Sequence, residues 1–156
     1  MKEVLKRVIL WAVKALSAGF RYVVYGPDTR IPFTATALVT RRSLIAKRPQ
    51  AVGQFVRAMA EAAKLLHADK QFSMKVLEKH LRLDDRKILE AAYNDEIRAL
   101  EPRLAVGPEA LQAILDEISL VAPRAQKVKP QDLIDRRYLD EMDKSGFFAK
   151  LWAEKR

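Results

Sequence analysis

Apolar and polar positions in this chain recur at three and four over most of its length, a period that predicts a succession of helices. The first is expected from Val4 to Ala18. Val4, Leu5, Val8, Ile9, Trp11, Ala15 and Leu16 share one face, Lys2, Glu3, Lys6, Arg7 and Lys14 share the other, and Gly19 suits the position just past the end. Arg41 to Lys47 has room for one or two turns before Pro49. Pro49 then opens a helix that carries Val52, Phe55, Val56, Met59, Ala62, Ala63 and Leu66 on its buried face. "DKQFSMKVLEKHL" predicts another, with Phe72, Val76, Leu77 and Leu81 inside. Asp84 is expected to cap the next, which buries Ile88, Leu89, Ala92, Tyr93 and Ile97 and ends by Pro102. Pro108 opens a helix with Leu111, Ile114, Leu115, Ile118 and Val121 inside. A loop "RAQKVKP" leads to a helix around Tyr138 to Met142, which Gly146 breaks before "FFAKLW".

Two segments leave this period. "FRYVVYG" is aromatic and β-branched and reads as a short strand, ended by the turn Gly26-Pro27-Asp28. "IPFTATALVT", Ile31–Thr40, reads as a second strand. Its apolar residues do not alternate with polar ones, which suits a strand covered on both faces, as in a parallel sheet. Two strands do not make a stable sheet alone. Either they pair within a small helical domain or partner strands lie elsewhere. An uncovered edge of this kind predicts self-association, a homo-dimer that completes the sheet or buries the first helix.

The 156 residues make one domain or a piece of a larger one, and 49% apolar against 31% charged residues is the composition of a folded globular chain. The absence of cysteine excludes disulfides, thiol catalysis and cysteine zinc sites. The net charge of +9 is unevenly placed. Residues 1–48 hold ten Lys and Arg against Glu3 and Asp28, and the remainder holds nineteen against eighteen acids. This basic third lacks interleaved aromatics and any nucleic-acid motif, so nucleic acid is the disfavoured partner and a solvated basic face the favoured reading. The start imitates a signal peptide. Its apolar run, Val8 to Val13, is shorter than the usual ~7–15 residues of such a core, and Lys14 follows, so an amphipathic helix is preferred.

In order, "LSAGFRYVVYGPDTRIPFTATALVT", "RPQAVGQFVRAMAEAAK", "YNDEIRAL" and "KPQDLIDRRYLDEMDKSGFFAKLW" resemble the C-terminal part of the periplasmic substrate-binding proteins of ABC importers, the nitrate, sulfonate, taurine and thiamine-precursor class. The resemblance runs from about Leu16 to Trp152 and rests on the series, since no single motif is diagnostic. It implies an α/β chain: a helix-rich partial type II periplasmic-binding-protein fold, with a short sheet and packed helices. Residues 1–30 would be a remnant of a second lobe and 31–156 the C-terminal part of the first. Ile31–Thr40 would be a buried crossover strand at the hinge, and the receptor interpretation as a whole fails if the segment is helical or lies exposed with no neighbouring strand. The implied function is binding a small organic or anionic solute, without chemistry, and presenting it to the permease subunit. The implied location is periplasmic. With Met1 as the native start and no convincing signal peptide, the expectation is cytoplasmic.

The resemblance places Thr34, Thr36, Phe33 and Arg41 at the ligand cleft. Threonine hydroxyls there can donate to a polar or anionic ligand, and an arginine fork fits oxyanions. Each also has a plain structural role: threonine suits strands, an aromatic near a strand end suits a core, and Arg41 with Arg42 suits a solvated helix start. Thr40 and Tyr25 stand in the same neighbourhood. His67 and His80 lack the spacing of a helical metal pair. Asp132, Asp135, Asp140, Glu141 and Asp143 interleave with Lys129, Arg136, Arg137 and Lys144, which reads as a salt-bridged helix surface. No phosphate loop, no nucleophile motif and no cofactor site is present in the sequence. Two alternatives stay beside the receptor reading: a basic helical module for nucleic acid or an acidic membrane surface, and a thiamine-pyrimidine-precursor enzyme of the same superfamily.

Overall fold

The computed structural model describes residues 15–16, 18–29, 31–32, 34, 37–82 and 85–153, and these form helices, turns and irregular chain with no strand among them. Eight α-helices occur among them: α1 (Arg42–Lys47), α2 (Pro49–Ala68), α3 (Lys70–Leu81), α4 (Arg86–Ala99), α5 (Pro108–Ser119), α6 (Pro130–Leu133), α7 (Arg137–Lys144) and α8 (Phe147–Ala153). Two 3₁₀ turns, Gly26–Thr29 and Pro123–Lys127, join the irregular parts.

The α/β expectation is therefore overturned: the described fold is all-helical. "FRYVVYG" forms no strand, and neither do the described residues of "IPFTATALVT". Ile31 is 68% and Val39 89% exposed, so the segment expected to be a buried crossover lies in solvent without a neighbouring strand. The physical reason lies in the backbone. Strand-forming side chains only bias a segment, and the strand exists once its N–H and C=O groups find a ladder partner. The helices satisfy their own backbones and offer it none.

The helical expectations fare better. Most of the first helix lies outside the described residues, but its end follows the expected form. Gly19 has φ +88°, Phe20 N–H donates to Ala15 O at 3.0 Å, and Gly19 N–H donates to Leu16 O at 3.0 Å. This double closure needs a left-handed residue, which glycine supplies without strain. Pro49 stands at the first turn of α2 and Pro108 at that of α5. Gly146, at φ +72°, separates α7 from α8.

The long helix α2 is the spine, and its small residues set how closely others approach. Ala60 is fully buried, and with Met142 of α7 and Phe148 of α8 it forms a core closed by Val56, Leu104, Leu139, Phe147, Leu151 and Trp152. A Cβ at Gly53 would meet the Tyr138 ring at 3.1 Å, so a bare backbone is what lets that ring lie flat on α2. Arg57 and Lys64 lay their cations 4.2 Å from the Phe147 and 5.1 Å from the Trp152 ring centroids, covering the outer side of α8. Of the buried face expected on α2, Ala63 is buried and Val52, Val56, Met59 and Leu66 are half-buried, with two exceptions. Phe55 is more than half exposed and Ala62 is exposed, while Ala60 is at the centre.

Beyond α2, Asp69 caps α3 by accepting Phe72 N–H at 2.9 Å, and α4 packs back with Ile88, Leu89, Ala92 and Tyr93 buried as expected. The Tyr93 hydroxyl donates to Leu66 O at 2.8 Å, tying α4 to the end of α2. On α3, Phe72 and Val76 face solvent, Leu77 is half-buried, and Ser73 is buried. Lys70 and Glu90 meet at 2.6 Å, and that hydrogen bond, with the Lys70 charge, holds the exposed Glu90 carboxyl below the usual carboxylate range. Its small contribution is present at neutral pH and is lost as acid protonates Glu90. The cap of α4 is Asp85, whose Oδ1 accepts Lys87 N–H at 2.9 Å and Ile88 N–H at 3.2 Å; the expected cap, Asp84, lies outside the described residues. Asp85→Ala should cost about 1 kcal/mol by losing both acceptors, measured by urea denaturation, with Asp85→Asn retaining most of it.

Candidate functional site

The chain enters α1 through Arg41, an extended residue (φ −82°, ψ 141°) that stands just before the helix. Around this entry lies an open depression of about 570 Å³, lined by Val39, Thr40, Arg41, Ser43, Leu44 and Lys47. The geometry follows from sequence spacing. Ser43, Leu44 and Lys47 stand three and four apart on the helix and share a face, which continues back to Thr40 at the turn before it. Two cationic residues, two hydroxyl residues and the apolar Val39 and Leu44 thereby line one depression. Such a lining can take the charged end of a small oxyanion against the cations and hydroxyls, and a short aliphatic body against the valine and leucine.

Of the expected ligand residues, Arg41 lines this depression. Thr34 is half-buried in irregular chain away from it, and Phe33 and Thr36 lie outside the described residues. The structure also divides Arg41 from Arg42. The Arg42 guanidinium donates to Asp132 O at 2.6 Å and fixes α1 against α6. Ser43, Leu44 and Lys47 were missed by sequence reading, although a helical plot beginning at Thr40 puts them together.

The other polar clusters are structural. Asp135 pairs with Arg137 at 2.9 Å, Asp140 with Arg136 at 3.3 Å and Asp143 with Arg103 at 3.2 Å. The acidic cluster is thus the salt-bridged surface its interleaved bases predict. A second shallow depression, lined by Arg137, Asp140, Glu141, Lys144 and Ser145, opens on this mixed surface and has no single-sign character. His67 and His80 sit on different helices. His67 meets Trp152 edge-on at 5.6 Å and its Nε2 is buried without a hydrogen-bond partner, while His80 is exposed. No group of three potential metal ligands occurs among the described residues, and no helix among them is long and apolar enough to cross a membrane.

No family model, no curated protein and no solved structure matches the chain.

Proposed function

We propose that the chain acts by binding a small organic or anionic solute such as a sulfonate, nitrate or taurine. The observation that carries this reading is that Arg41, Lys47, Thr40 and Ser43 line one depression with Val39 and Leu44. A crossover-strand role for Ile31–Thr40 within this chain forms no part of it, because that segment is exposed. The anion lies at the rim of the fold and stays hydrated, so each cation contributes about 0.2–1 kcal/mol. The affinity of this surface alone should then be weak, with a Kd on the order of tens of millimolar or above.

The test is a chemical-shift titration of the full chain with taurine, methanesulfonate and nitrate, using chloride as the reference anion. Shifts centred on the amides of Thr40, Arg41, Ser43 and Lys47 are expected, and Arg41→Ala should weaken the response up to about fivefold. Shifts of the same size and pattern with chloride, or shifts elsewhere only, would sink the proposal.

A further inference from the structure

The segments on either side of the Gly26–Thr29 turn carry a second set of exposed apolar residues, and its last part, Val39 to Arg41, is shared with the lining of the solute site. Phe20, Val23, Val24, Ile31, Leu38 and Val39 are all at least half exposed, and Val23 is fully so. The backbone of residues 37–40 makes no hydrogen bond to another described residue. β-branched and aromatic side chains are thus held in solvent beside N–H and C=O groups that have no partner among the described residues. Folded chains rarely leave so many large apolar side chains exposed within one short stretch of sequence without a use for them.

The chemistry of the surface selects among possible occupants. Its described neighbours Arg21, Arg41, Arg42, Lys47 and Arg48 stand against one acid, Asp28. A second copy would bring the same excess of positive charge onto itself, and like charges across an interface oppose association. A hydrocarbon layer would cover the side chains but satisfy none of the backbone groups. Nucleic acid would answer the charge and leave the valines wet. One occupant answers all three features. We infer that residues 37–41 dock an extended strand of an apolar, acid-bearing polypeptide, which pairs with them by backbone addition and sets its acids against the flanking arginines. The chain itself remains the helical body described above, with the strand supplied by the partner. Strand addition of this kind takes affinity from main-chain hydrogen bonds and selectivity from alternate side chains.

The probe is a peptide of about ten alternating valine and glutamate residues, a single strand's length, titrated into the full-length chain. Slowed amide exchange at residues 37–41 is expected. N-methylation of alternate valines should weaken binding at least tenfold, and so should Val39→Pro, which removes one N–H. That N–H carries no hydrogen bond to described residues, so the thermal midpoint of Val39→Pro should stay with the parent. Three results would each overturn the inference. The first is equal binding of the methylated peptide, which would leave only charge attraction. The second is equal binding of a valine–lysine peptide. The third is protection of residues 37–41 without peptide, either on phosphatidylglycerol vesicles or in a dimer seen by light scattering.

Discussion

Phe148→Ala should lower the unfolding free energy by about 3–5 kcal/mol. The ring is 1% exposed, the most completely buried large side chain among the described residues, and it reaches Ala60 and Met142 at the centre of the core. Truncation removes the apolar area and leaves a cavity bounded by an alanine on α2, which has no side chain long enough to refill it. For a fold whose whole margin is about 5–15 kcal/mol, that is about a fifth or more of its stability. Urea denaturation followed by circular dichroism measures it directly. A loss under about 1 kcal/mol, the size of an ordinary surface change, would mean that α8 is not docked on α2 in solution. The orientation of α7 over Gly53 would then need another explanation.

The parts of this fold that depend on local rules were legible, and those that depend on partners were not. Pro49, Pro108, Gly19 and Gly146 mark helix ends because proline and glycine restrict or free the backbone whatever surrounds them. The inner face of α4 was also legible, since Ile88, Leu89, Ala92 and Tyr93 repeat at helical spacing and all four are buried. On α2 the same method misplaced Phe55 and Ala62 and passed over Ala60. Hydrophobicity weights Phe55 above Ala60, yet close helix approach rewards the smaller residue. The largest miss is Ile31–Thr40. Its composition favours a strand, but a ladder is a property of two segments, and one sequence segment carries no record of whether the other is within reach.

The candidate site shows the same division. Arg41 was singled out for its chemistry and does line the depression, while Arg42, identical in type and adjacent in sequence, is committed to the Asp132 carbonyl. Nothing in the pair "RR" tells the two apart. The distinction arises because α6, ninety residues away, places an acceptor on one side of α1 only. Ser43 and Lys47 join Arg41 through helical spacing alone. That half of the site was available to sequence reading, and the preference for threonines on a presumed strand concealed it.

A second large loss is expected on the other side of α2. Leu89, 3% exposed, sits on the inner face of α4 with Ile88, Ala92 and Tyr93, and Tyr93 in turn bonds the last turn of α2 through Leu66 O. Leu89→Ala should cost about 2–5 kcal/mol. Combined with Phe148→Ala it tests how the spine couples its two flanks. The substitutions lie on different helices and different faces of the bundle, so in one cooperative unit their costs should add to within about 0.5 kcal/mol. The continuity of α2 from Pro49 to Ala68 favours that result, because neither flank can lose its packing without exposing part of the same helix. If the double variant instead unfolds in two resolved steps, α3 and α4 form a separate unit hinged at Asp69, and the single-core description gives way to two small ones. Amide exchange separates these outcomes by residue. A shared protection free energy across α4 and α8 is expected, and a lower one confined to α3 and α4 would assign the weaker unit.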